Sequence, residues 1–76
     1  MTDAEWNKEA EKVLLNRKIV AVRYMTKAEA KKMGWYKRPV CFTLDNGESL
    51  MVSMDDEGND GGSLFFGKDG TLPTLS

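Results

Sequence analysis

The sequence predicts an α+β domain: a small four-stranded, mainly antiparallel sheet with an N-terminal amphipathic helix packed on one face and a short second helix. Three observations carry this reading. Two capping boxes each open a helical stretch, β-branched runs alternate in polarity, and Asp45-Asn46-Gly47 separates two such runs. Seventy-six residues hold one core, so 1–76 is a single domain. A chain this short buries only about 60% of its unfolded surface. Its one cysteine, Cys41, gives it no internal disulfide. An SH3-like barrel is the architectural alternative, because five short extended segments could close on themselves.

Thr2-Asp3-Ala4-Glu5 is the first capping box: the Thr hydroxyl meets the Glu amide and the Glu carboxylate reaches back. Trp6, Ala10, Val13 and Leu14 follow at i, i+4, i+7 and i+8, while Lys8, Glu11 and Lys12 face away. The spacing predicts a helix over about 3–15, ended by Asn16 in the left-handed conformation. Ile19 to Met25 is rich in β-branched and aromatic residues and predicts a strand over about 18–25. Val20, Val22 and Tyr24 share one face; Ile19, Ala21 and Met25 share the other with Arg23. Apolar on both sides, this strand is expected to be central and covered on both. Thr26-Lys27-Ala28-Glu29 is the second capping box, with Met25 and Ala30 placed as a hydrophobic staple. Gly34 limits that helix to about 27–33.

Pro39 suits the start of a strand, where no ladder donor is needed. Val40, Phe42 and Leu44 then alternate with Cys41 and Thr43, and Leu50, Val52 and Met54 with Met51 and Ser53. Strands are predicted over about 38–45 and 48–54. A two-residue Asn46-Gly47 turn would set Phe42 opposite Met51 and split the apolar set across both faces. A three-residue Asp45-Asn46-Gly47 loop sets Phe42 opposite Leu50 and keeps the set together, with Gly47 in the left-handed bulge position. The three-residue loop is therefore predicted. Residues 55–62 read as a polar, glycine-rich loop and 63–67 as a short last strand. The tail from Thr71 is expected to be extended and loosely docked.

Charge is segregated along the chain, although the net value is only −1. Residues 17–44 carry eight bases and one acid, Glu29, whereas residues 45–76 carry seven acids and one base, Lys68. Such asymmetry concerns partners rather than fold. With 41% hydrophobic and 30% charged residues, the chain is an ordinary globular domain, not a disordered tail. No apolar run is long enough to span a membrane, and the acidic N-terminus is unlike a signal peptide. A lone thiol fits a reducing, cytoplasmic setting.

Catalytic chemistry has little to draw on. The chain contains no histidine, so the commonest general base and metal ligand are missing. Cys41 sits mid-strand as a packed thiol rather than a nucleophile. The glycines at 58–62 do not link a strand to a helix as a phosphate loop requires. EF-hand spacing fails from Asp55, which puts Asp60 where glycine is needed, and from Asp56, which puts Gly58 and Gly67 at ligand positions. A looser oxygen site from Asp55, Glu57, Asn59 and Asp60 is the weaker alternative to a solvated loop, so no metal or cofactor is expected. The basic segment offers more: Lys27 and Lys31 lie one helical turn apart, followed by Trp35, Tyr36, Lys37 and Arg38. Aromatics among cations can stack bases and neutralise phosphates. Set against that, lysines commonly end helices and Trp35 could simply fill the core.

Tyr24-Met25-Thr26 with Glu29-Ala30 and Gly34-Trp35, then Asp56-Glu57-Gly58-Asn59 with Gly61-Gly62 and Leu64, resembles a set of short proteins of marine bacteria and their phages. The similarity spans about residues 14–67. No activity is known for that set, so the resemblance implies a free-standing cytoplasmic domain and carries over no site residues. The expectation is a non-catalytic interaction or regulatory module that works through a protein partner or as a homodimer, with Phe65 and Phe66 as the self-association contact. Nucleic-acid binding by segment 17–38, with Trp35 and Tyr36, is the alternative.

Overall fold

The computed structural model describes all residues, Met1–Ser76. Both capping boxes form. Thr2 Oγ accepts from the Glu5 amide at 3.2 Å and the Glu5 carboxylate accepts from the Thr2 amide at 2.9 Å, opening helix α1, Asp3–Leu14. Thr26 and Glu29 repeat the exchange at 3.2 and 2.9 Å and open α2, Lys27–Met33. Gly34 closes α2 at φ +74°, a left-handed conformation that costs a glycine little. Asn16 takes φ +61° after α1, as its short polar side chain allows.

Strands β1 (Ile19–Tyr24), β2 (Val40–Leu44) and β3 (Ser49–Met51) form one antiparallel sheet in that order. The β2–β3 register pairs Phe42 with Leu50 and Thr43 with Ser49, as the three-residue loop requires. The Leu44 amide closes the loop on the Glu48 carbonyl at 2.9 Å, and Gly47 holds φ +89°. Local turn chemistry and face matching settle this hairpin together.

The four-stranded sheet is replaced by a three-stranded sheet and a separate hairpin. β4 (Leu64–Phe66) pairs with β5 (Gly70–Leu72), not with the first three strands. Gly67, at φ +62°, turns the chain back where only a strand end was expected. The Phe66 ring lies across Gly70, where an added Cβ would meet it at 2.5 Å. The tail is likewise more ordered than expected: Gly70–Leu72 is strand, and Leu75 bridges Arg38 through backbone bonds of 2.7 and 2.8 Å. Neither sheet closes, so there is no barrel.

β1 is an edge strand, and five of its six residues are exposed. The place in the centre belongs to β2, where Val40, Cys41 and Leu44 are buried. A β-bulge sets Ile19 against Leu44 while Ala21 faces Thr43, so two residues oppose one. Ile19 thereby joins Val20 and Val22 instead of sharing the face of Ala21. The N-terminal helix does not cover the sheet: α1 buries none of its residues, and Trp6 is 60% exposed.

Buried residues lie on both faces of β2: Val40 and Leu44 on the side they share with Ile19 and Val22, and Cys41 on the other, in one cluster with Met25, Ala30 and Trp35. The staple pair Met25 and Ala30 belongs to it. Trp35 ties the cluster to the 55–61 loop by donating from Nε1 to the Gly58 carbonyl at 2.6 Å. Trp35→Ala is expected to cost about 3–5 kcal/mol, as for other buried aromatics. Trp35→Phe, which leaves the Gly58 carbonyl unpaired, should cost about 1–3 kcal/mol. Urea unfolding followed by circular dichroism checks both; equal losses for Phe and Ala would mean the indole contributes only through its hydrogen bond.

Candidate functional site

The basic segment is drawn together, but not as a stacking platform. Lys27 and Lys31 on α2, with Tyr36 and Arg38 beyond it, border a shallow cleft of about 240 Å³ that has Trp35 and Ser76 in its wall. Trp35 is only 6% exposed, so its faces are committed to the core; Tyr36, at 87%, stands in the open. Arg38 is spent on structure: Nη1 donates to the Met25 carbonyl at 3.2 Å and Nη2 to the Ser76 backbone oxygen at 3.3 Å. Lys27, Lys31 and Lys37 enter no ion pair.

The acidic loop meets this segment through backbone amides rather than through base side chains. Asp60 Oδ1 accepts from the Tyr36, Lys37 and Gly61 amides at 3.1, 2.9 and 2.8 Å. The Lys37 amide foremost holds the Asp60 carboxyl below its ordinary range. Asp55 Oδ1 accepts from the Glu57 and Asn59 amides and Oδ2 from the Asn59 side chain, which leads in lowering its pKa. With Asp55 and Asp60 so engaged, Asp55, Glu57, Asn59 and Asp60 form a self-bonded loop, and no cluster of three acidic or thiol side chains is arranged to hold an ion. The one ion pair between the basic and acidic thirds is Arg17 with Asp45, at 3.9 Å.

A second concavity, unanticipated from the sequence, lies between α2 and the sheet. It is a groove of about 400 Å³ lined by Met25, Met33, Cys41 and Met51, with Arg23 and Glu29 at its rim. Arg23 grips Glu29 through two bonds of 2.7 and 2.8 Å. This bond, then the Thr26 cap, pulls the Glu29 carboxyl down to about 2, and the Arg23 guanidinium is pushed up in return. Burial raises the Cys41 pKa, so the thiol stays protonated and weakly reactive.

Many large apolar side chains stand at the surface. Ile19, Val20 and Val22 on β1 are 58, 62 and 64% exposed. Trp6, Val13 and Leu14 on α1 and Phe65 and Phe66 on β4 also face outward. Periodicity identified the α1 stripe and the β1 face as apolar, but nothing in the sequence says that they stay uncovered. No helix is long and apolar enough to cross a membrane.

No known protein family, no curated protein and no solved structure matches this chain.

The Glu29 interaction gives a pH signature. A carboxyl near 2 in the fold and near 4.5 when free stabilises the fold fully above 4.5 and loses that contribution as pH falls toward 2. The melting temperature should therefore drop through that window in the wild type and drop less in Glu29→Gln. Parallel curves for the two proteins would contradict this role.

Proposed function

We propose that this chain is a small non-catalytic interaction module, acting in a reducing cytoplasmic setting by self-association. One quantity supports the reading above all. A compact monomer of 8.5 kDa exposes about 4,700 Å², whereas this chain exposes 6028 Å². The surplus of ~1,300 Å² exceeds the roughly 800 Å² per partner of a standard protein–protein interface. The radius of gyration agrees: 13.5 Å against about 11 Å for a compact domain of this length. Only eight residues are buried, and large apolar side chains such as Trp6, Ile19, Val20, Val22 and Phe65 are more than half exposed. Water penalises such surface, so covering it by association is favourable.

Chemistry argues in the same direction. Hydrogen bonds hold the Glu5, Glu29, Asp55 and Asp60 carboxyls below their ordinary range, away from a general acid's, and the one thiol is buried and held neutral. The candidate contacts include Phe65 and Phe66, 78 and 54% exposed on the β4–β5 hairpin.

Nucleic-acid binding by segment 17–38 retains a single favourable observation, the unpaired Lys27 and Lys31 beside exposed Tyr36. It lacks the Trp35 stacking face that sequence-tolerant binding needs.

Sedimentation at micromolar concentrations should show a mass of twice 8.5 kDa or more; a monomer at high micromolar concentration would count decisively against the proposal. A labelled oligonucleotide titrated at about 50 mM salt should show no binding. Binding that weakens with salt, and that Lys27→Ala with Lys31→Ala reduces, would favour the nucleic-acid reading instead.

A further inference from the structure

Two apolar surfaces of this chain lack a partner, and they suit each other. α1 presents Trp6, Ala10, Val13 and Leu14 along one stripe, and none of its residues is buried. Twelve helical residues extend about 18 Å. The six residues of β1 extend about 20 Å, and its bulge gathers Ile19, Val20 and Val22 on one face. A helix and a strand face of similar length are the two halves of an ordinary helix-on-sheet layer.

Within one chain the two halves are kept apart. The connection is four residues, Leu15 to Lys18, and it is pinned along its length. Asn16 is left-handed, and the Arg17 amide donates to the Leu14 carbonyl at 3.3 Å. The Lys18 carbonyl accepts from the Asp45 amide at 2.8 Å, and the Arg17 guanidinium stands 3.9 Å from the Asp45 carboxylate. A connection so short and so held directs α1 off its own sheet. With its own helix held away, a second copy is the occupant that offers the matching stripe, and charge is compatible: α1 carries four acids against Lys8 and Lys12, and Arg17 and Lys18 lead into β1.

We propose that two copies exchange their N-terminal helices, each α1 lying with its Trp6 stripe on the Ile19, Val20 and Val22 face of the other copy. This rests on the self-association reading above and names its contact. The two contacts are equivalent and close on each other, as a two-fold dimer requires. The surplus surface of each chain is large enough to supply them.

The test uses the full chain with Trp6→Glu, Val22→Glu and, as a second strand-face variant, Val20→Lys, each checked for wild-type circular dichroism. All three positions are exposed in the single chain, so the substitutions leave its fold intact. The wild type should sediment as a dimer, and each variant alone should weaken dimerisation at least tenfold. Mixing Trp6→Glu with Val22→Glu should restore dimers, because the mixed pair keeps one intact helix and one intact strand face in contact. A monomeric wild type overturns both the exchange and the self-association reading. A dimer that survives both Val22→Glu and Val20→Lys, or one that only Phe65→Glu dissociates, overturns the exchange and leaves self-association standing. Failure of the mixture to restore dimers also overturns the exchange.

Discussion

The indole of Trp35 holds the molecule together. It follows immediately after α2, where Gly34 turns the chain so that residue 35 enters the core instead of continuing the helix. Its ring packs with Met25, Ala30 and Cys41, and its N–H reaches the Gly58 carbonyl. One side chain thus joins α2, the sheet and the acidic loop. Asp60 completes the junction by accepting the Tyr36 and Lys37 amides. Gly61 then passes so close to Pro39 that an added Cβ would meet its Cδ at 2.6 Å, which leaves room only for glycine. Basic and acidic thirds are joined here by carboxylate-to-amide bonds, which fix geometry better than long flexible ion pairs do.

That junction also explains how little core the chain has. Fully buried positions lie around β2 and the end of α2, leaving β1, α1 and the β4–β5 hairpin outside. Each of these three carries apolar residues that a larger domain would cover with another layer. Within residues 1–76 no further layer covers them, and their apolar side chains stay in water. The Met-lined groove beside α2 belongs to the same economy, since flexible thioethers tolerate partial exposure and adapt to what they meet.

Features set by neighbours in sequence were legible without coordinates. The capping boxes at Thr2 and Thr26, the stop at Gly34, the left-handed Asn16 and the Phe42–Leu50 register all follow from residues within about ten positions of one another. The candidate cluster at 27–38 was legible as a group, because α2 and its exit loop are local too. The role of each member was not: whether Trp35 stacks on a ligand or fills a core depends on Gly58, twenty-three residues away.

The sequence alone determined where helices and strands begin, which residues are apolar and which turn joins β2 to β3. Tertiary structure decided which strand stands at the centre and whether each apolar face is covered. Val20 and Val22 are equally suited to a buried strand or to an edge awaiting a partner, since hydrophobicity records a preference to leave water and not what will be met on leaving it. The last strand shows the same division: Leu64–Phe66 reads as a strand in either arrangement, and Gly67 together with the compact Gly70 opposite Phe66 settled its pairing with Gly70–Leu72.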